Sequence, residues 1–238
     1  MSKSPESRQN SWGRKLLAGA FAASILFGVP NSEQKPNIYP APVTQEDMSE
    51  LQGYLDAFVD LWKKQDPTVD LSKLRLVTVS GDDTFTCRVF SVRESGDGSI
   101  YCPEGDGTIV LTAHDIHQLD SVPFGIVSTL RRMFMVGHEG FHAIQHRRGN
   151  NFLLSSTVEE ELQATCEAGR FMAAKYPDTL TLGAIIGFMA DENVFAIGGG
   201  TRRHATVEQQ AAAFAQGVNT NDCSQFDGDI PAVGKRLY

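Results

Sequence analysis

Two histidines four residues apart, with a glutamate directly after the first, are the residues of this sequence best suited to chemistry. They are His138, Glu139 and His142, in the segment Val136–Ala143. On a helix, residues four apart lie on one face about one turn apart, so both imidazoles can bind one zinc ion at about 2.0–2.1 Å. Glu139 would then reach the fourth coordination position, where it can take a proton from a water whose pKa zinc lowers to about 7. The spacing predicts His138 and His142 as metal ligands and Glu139 as the catalytic base.

A third ligand decides between a zinc centre and a solvated helix that merely carries this pattern, because catalytic zinc usually has three protein ligands and a water. The candidates are the glutamates at 159–161, which follow Thr157. Their simpler explanation is helix capping, since carboxylates in the first turn of a helix stabilise it by about 0.3–1 kcal/mol. On a second, antiparallel helix, one of them would also reach the metal. We select Glu161, partly from this spacing and partly from the family resemblance described below.

The elements that must position these residues form an α+β domain, in which a small β-sheet precedes a helical half. Thr44 and Asp47 form a capping-box pattern that predicts a helix start, and Pro67 predicts its end. Gly137 and Gly140 each lower helix propensity by about 1 kcal/mol, which a close approach of another backbone would explain. Beyond the first helix, we expect strands at 74–80, 85–89 and 107–112 and helices near 124–147, 157–175, 180–196 and 205–217.

The first 30 residues have the pattern of an export signal. Arg14 and Lys15 precede a run of fourteen apolar or small residues, Leu16–Val29. The run is short for a membrane-spanning helix, which needs about 20 residues, but no clear cleavage site follows it. Residues 1–30 are therefore predicted to be a signal peptide or an N-terminal membrane anchor, with a buried core helix as the less favoured alternative. A Pro-rich linker is expected at 31–43 and the folded domain at 44–238.

Composition limits the class of partner. The chain is 41% hydrophobic and 21% charged, as in ordinary globular proteins, which excludes a disordered chain. Its net charge of −8 disfavours nucleic acid, because phosphate binding requires a basic surface. We expect no nucleic-acid partner, and possible membrane association only through residues 16–29.

Four stretches of the sequence share their residues and their order with a known family. They are Tyr101–Glu104 with Thr108–Leu111, His138–Gln145, Glu161–Gly169, and His204–Gln210 with Cys223 and Phe226. These stretches resemble the bacterial neutral zinc metallopeptidases. The resemblance implies a zincin-like fold, a zinc cofactor held by His138, His142 and Glu161, and hydrolysis of a peptide or protein substrate with Glu139 as base. It also singles out His204, which would donate a hydrogen bond to the oxyanion or would only cap a helix.

The chain departs from the family pattern at three positions. Thr165 replaces an aspartate that would orient a ligating imidazole, and loss of such a partner typically costs about 10–100-fold in metal affinity or activity. Ala205 and Gln210 replace the usual glycine and arginine. We expect a working site with weaker zinc binding. The alternative is a non-catalytic, zinc-stabilised binding or assembly protein derived from this family.

Four cysteines permit three pairings. We favour Cys87–Cys102 in the β region and Cys166–Cys223 in the helical half, which agrees with an exported, membrane-anchored or secreted (periplasmic) protein. Four unpaired core cysteines are the alternative. A cysteine hydrolase using Cys166 is a third possibility, which a disulfide at that residue would exclude.

The other three histidines before residue 150 receive no role in the centre. His146 follows His142 by one turn but lies two turns, about 12 Å, from His138, too far for one ion to bind all three. His114 and His117 follow the end of a predicted strand. All three are expected to be solvated surface residues.

Overall fold

The described part of the chain forms one helix, then a small β-sheet, and then a group of packed helices. The computed structural model describes residues 41–87, 90–93, 98–117, 125–149, 158–176 and 205–226, and all of them belong to one structural unit. The fold is mixed α+β, as predicted. Its elements in chain order are α1 (Gln45–Gln65), β1 (Arg75–Val79), β2 (Thr84–Cys87), β3 (Phe90–Arg93), β4 (Ile100–Cys102), β5 (Thr108–Thr112), α2 (Ala113–His117), α3 (Gly125–Arg147), α4 (Val158–Lys175), α5 (Val207–Thr220) and a 3-10 turn (Ser224–Phe226).

The main sheet has three strands in the order β1-β5-β4. The central strand, β5, runs parallel to β1 and antiparallel to β4, and all five of its residues are buried. Among the described strands, β4 therefore lies at one edge of this sheet, with Tyr101 paired to Ile109. A separate hairpin joins β2 and β3.

Three short elements differ from the sequence prediction. Strand β3 and helix α2 were not predicted, and β4 lies where a loop was expected between two strands. Each has only three to five residues, too few to show a periodicity. The predicted helix near 180–196, the segment 1–30 and most of the linker lie outside the described residues.

Helix α1 begins at the predicted capping box. Thr44 Oγ1 accepts a hydrogen bond from Asp47 N at 3.1 Å, and Asp47 Oδ2 accepts one from Thr44 N at 2.8 Å. Asp47 also reaches α3, where its Oδ1 lies 3.0 Å from Arg132 Nη1. Half-buried His117 lies 3.9 Å from Asp47 Oδ2, so the expectation that it is a solvated loop residue is wrong. The carboxylate thus joins the start of α1 to α2 and α3.

Glycines set how closely the helices approach α3. A Cβ at Gly137 would lie 3.3 Å from Ala168 Cα of α4, which confirms the predicted backbone approach. At Gly140 the neighbour is instead the ring of Phe58, 2.7 Å from such a Cβ. These contacts place α1 and α4 directly against the helix that carries the two candidate ligands.

Both predicted disulfides are present. Cys87–Cys102 joins β2 to β4, and Cys166–Cys223 joins α4 to the segment after α5. Paired cysteines indicate an oxidising compartment such as the extracellular space or periplasm. The pairing of Cys166 excludes it as the nucleophile of a cysteine hydrolase. Within the ranges described, no helix combines the length and apolar character that crossing a bilayer requires.

Two glycine-to-alanine substitutions should shift stability in opposite directions. A Cβ at Gly217 of α5 would overlap the carbonyl oxygen of Cys166, so Gly217→Ala should lower the free energy of unfolding by about 3 kcal/mol or more. Exposed Gly53 of α1 has nothing within 4 Å of its Cβ position, and Gly53→Ala should raise the free energy of unfolding by about 0.5–1 kcal/mol. Urea unfolding measures both; equal effects would contradict the packing of α5 on α4.

Asp47→Asn should reveal a pH-dependent contribution. Burial by itself would raise the pKa of Asp47, but hydrogen bonds from Thr44 and the charge of Arg132 outweigh it and lower the pKa. The stabilisation is then complete above the unfolded pKa of about 3.9 and is lost as pH falls through the lower folded pKa. The difference in unfolding free energy between parent and variant should be largest near neutral pH and should shrink as the solution is acidified below the unfolded pKa. A difference independent of pH would argue against this ionisation.

Candidate metal centre

The histidine pair lies on one buried face of α3, as the four-residue spacing predicts. His138 and His142 are each 6% exposed, and their Nε2 atoms are 3.2 Å apart. The rings meet edge to face, with centroids 4.8 Å apart. Both Nε2 atoms therefore point to a common position beside the helix.

Glu161 of α4 faces the same position. Its Oε2 lies 3.3 Å from His138 Nε2, and its Oε1 lies 3.6 Å from His142 Nε2. Glu159, two residues earlier, is exposed, so the three neighbouring glutamates differ in burial. One ligand atom from each of His138, His142 and Glu161 lies within 4.8 Å of the others, and this group could hold a metal ion. Among the residues that the structure describes, no other group of three His, Cys, Asp or Glu side chains meets this condition.

The outer nitrogen of His142 is held by a buried amide. His142 Nδ1 lies 2.7 Å from Gln145 Oε1. Gln145 Nε2 in turn donates to Gln163 Oε1 at 2.8 Å and to the carbonyl oxygen of Glu160 at 3.0 Å. Sequence reasoning gave Gln145 and Gln163 no role, although Gln145 follows His142 by three residues and so shares its helix face. The amide connects α3 to the first turn of α4.

The outer nitrogen of His138 meets Thr165, where the resemblance implied that a carboxylate would lie. Thr165 Oγ1 is 3.4 Å from His138 Nδ1, and the threonine is fully buried. The hydroxyl can accept a hydrogen bond from Nδ1 but adds no charge. The side chain that meets His138 Nδ1 is therefore a neutral hydroxyl.

Glu139 lies beside the triad in an environment that favours its protonated form. It is 4% exposed, and the backbone N–H of Tyr101 in β4 donates a hydrogen bond to its carboxylate. Burial, followed by the charges of Glu161 and Asp115, raises the pKa of Glu139 well above its usual range, against the effect of that hydrogen bond. A carboxylate that binds a proton readily is suited to general base catalysis near neutral pH.

A buried ion pair near Glu139 was not identified from the sequence. Arg131 is 1% exposed; its Nε donates to the carbonyl oxygen of Asp115 at 3.1 Å, and its Nη2 lies 3.6 Å from Asp115 Oδ1. Ser99 Oγ donates to Asp115 Oδ2 at 2.7 Å. The available signal was the position of Arg131, seven residues or about two helical turns before His138. This arginine compensates a carboxylate whose charge reaches the candidate base.

The remaining candidate histidines have different surroundings. His114 is exposed, as expected. His146 is half-buried with its Nδ1 3.1 Å from the Tyr101 hydroxyl, so the expectation of a solvated surface residue is wrong for it. His204 lies outside the described residues, and its role stays a prediction.

No protein-family model, curated protein or solved structure matches this chain significantly.

Arg131→Met should show how strongly the fold depends on the buried ion pair. Removing the cation leaves Asp115 buried and uncompensated near Glu139, which should lower the free energy of unfolding by about 3–5 kcal/mol. Adding Asp115→Asn to the variant removes that charge and should recover part of the loss. Urea unfolding measures both. A loss below about 0.5 kcal/mol for Arg131→Met would show that the pair contributes no net stability.

Proposed function

We propose that this protein is a zinc-dependent peptidase with a zincin-like catalytic half. Zinc would be held by His138, His142 and Glu161, and Glu139 would be the catalytic base. The observation that carries the proposal is the convergence of three buried ligand atoms from two helices, with a fourth, hydrogen-bonded carboxylate adjacent to them. A solvated helix with a chance motif would not bury all four side chains together.

The donor set and its spacing fit zinc. Two histidines and one carboxylate leave a fourth position open, as in catalytic rather than structural zinc sites. Tetrahedral bonds of about 2.0–2.1 Å place neighbouring ligand atoms about 3.3–3.4 Å apart. Here the two Nε2 atoms lie 3.2 Å apart, and Glu161 approaches His138 Nε2 with Oε2 at 3.3 Å and His142 Nε2 with its other oxygen, Oε1, at 3.6 Å. With one oxygen counted for Glu161, the three ligand atoms lie within 4.8 Å of one another.

Hydrolysis of an amide needs a base for the attacking water and an acid for the leaving nitrogen. Bound zinc would supply a lowered pKa for that water and polarisation of the substrate carbonyl. Glu139 would accept one proton from the water while the new C–O bond forms. It would then deliver this proton to the nitrogen as the C–N bond breaks. The Tyr101 N–H would hold the carboxylate of Glu139 in place through both transfers.

The proposal extends to location and to one further residue. The two disulfides support an oxidising compartment, so we propose an exported protein, with residues 1–30 acting as a signal peptide or membrane anchor. Its substrate would be a peptide or protein. His204 would donate a hydrogen bond to the oxyanion that forms on the substrate.

A second candidate function is a zinc-stabilised binding or assembly protein without turnover. The neutral contact between Thr165 and His138 favours it, because loss of a charged partner weakens a catalytic zinc site. In that case zinc would contribute to folding alone, and chelation would melt the protein with no activity to lose.

Two charge-removing substitutions separate the roles of the acids. Glu139→Gln should lower kcat about 10²–10⁴-fold on a fluorogenic peptide library while zinc content stays at the parent level, because only the base is removed. Glu161→Gln should lower both activity and zinc content. The exposed neighbour Glu159 supplies the matched control, and Glu159→Gln should change neither.

Each alternative outcome has a defined meaning. Full activity of Glu139→Gln would show that the base is wrongly assigned. A parent protein that binds zinc and melts on chelation, yet cleaves no member of the library, would support the non-catalytic alternative. Zinc content is measured by atomic absorption after dialysis.

A further inference from the structure

The two side chains that contact the Nδ1 atoms of the candidate ligands His138 and His142 are both neutral, and their contact distances differ. Gln145 meets His142 at 2.7 Å, whereas Thr165 meets His138 at 3.4 Å, the long end of the hydrogen-bond range. A carboxylate in such a place fixes the ring and raises its basicity toward the metal. Neither imidazole receives that assistance from these two contacts.

Gln145 carries no charge, but its hydrogen bonds can fix the orientation of His142. It is 1% exposed, and its amide bonds His142 on one side and two acceptors of α4 on the other. One of those acceptors is the backbone carbonyl of Glu160, directly before the third ligand, Glu161. A single side chain therefore sets the orientation of one ligand and the position of the helix turn that carries another.

Thr165 contributes no negative charge behind the imidazole of His138. Two neutral imidazoles and one carboxylate around a divalent ion give a net charge of +1. A carboxylate at residue 165 would lie on the far side of the His138 ring from the ion and would offset this charge of +1. A hydroxyl at the same place cannot. Thr165 is fully buried and within reach of Nδ1, so its side-chain type, not its location, limits the interaction.

We propose that Gln145 positions this centre and that the neutral contact of Thr165 limits its zinc affinity. This inference rests on the proposed function for the identity of the ion. It adds which side chains outside the ligand set determine how tightly the ion is bound. Thr165 and Gln145 are positioning residues, since neither ligates the ion.

Thr165→Asp compared with Thr165→Asn in the full chain isolates charge from shape. The Asp variant should bind zinc about 10–100-fold more tightly than the parent, measured by competition with a chromophoric chelator. The Asn variant, of the same shape but neutral, should stay within about threefold of the parent, because it can offer His138 only another neutral acceptor. Equal affinities for the two variants would overturn the assignment to Thr165.

Gln145→Met tests the other half of the inference. Methionine is close to glutamine in size and cannot accept from His142, so zinc affinity should fall about 10–100-fold. Cobalt(II) absorption spectra of the same variant should change, since His142 is no longer held in one orientation. An unchanged affinity would overturn the positioning role.

Stability measurements keep the test informative if a variant folds poorly without metal. The rise in Tm on adding zinc grows with affinity, so it should be larger for Thr165→Asp than for Thr165→Asn even when the zinc-free forms differ in stability. If no form of the protein binds zinc, the proposed function fails together with this inference. If all forms bind zinc equally, only this inference fails.

Discussion

The candidate centre depends on the packing of α3 against α4. The histidines lie on one helix and Glu161 on the other, so the three ligand atoms meet only if the two helix axes come close. Gly137 permits this approach, because a Cβ there would lie 3.0 Å from the Phe171 ring and 3.3 Å from Ala168 Cα. Gly137 lowers helix propensity by only about 1 kcal/mol, and its lack of a side chain allows the two helices to approach this closely.

The same packing buries several acids in a small volume, and their charges must be compensated. Glu139 and Glu161 are 4% and 8% exposed, and the charge of Asp115 also reaches Glu139. Arg131 compensates Asp115 directly. A divalent ion at the triad would neutralise much of the remaining charge, so metal binding and folding would be coupled. Glu139 thus lies directly after His138 in a core where burial and the neighbouring acids raise its pKa.

Strand β4 contacts the candidate base Glu139 and is also joined to β2 by a disulfide. Tyr101 donates its backbone N–H to Glu139, and the next residue, Cys102, is held by the disulfide to Cys87. Tyr101 also places its hydroxyl against His146 of α3. The strand has three residues, and among the described strands it pairs with β5 alone. The disulfide and these contacts therefore restrain a short element with little strand pairing.

The sequence by itself determined the features that depend on local spacing. A four-residue interval places His138 and His142 on one face of any helix, and the Thr44–Asp47 interval determines where α1 begins. The helices expected near 124–147 and 157–175 likewise correspond to α3 and α4. Tertiary structure alone decided the contacts between distant segments, such as Gln145 with the first turn of α4, Asp115 with Arg131, and Tyr101 with both Glu139 and His146. These depend on how closely two elements pack, and helix or strand periodicity shows which face of an element is buried but not which residue it will meet.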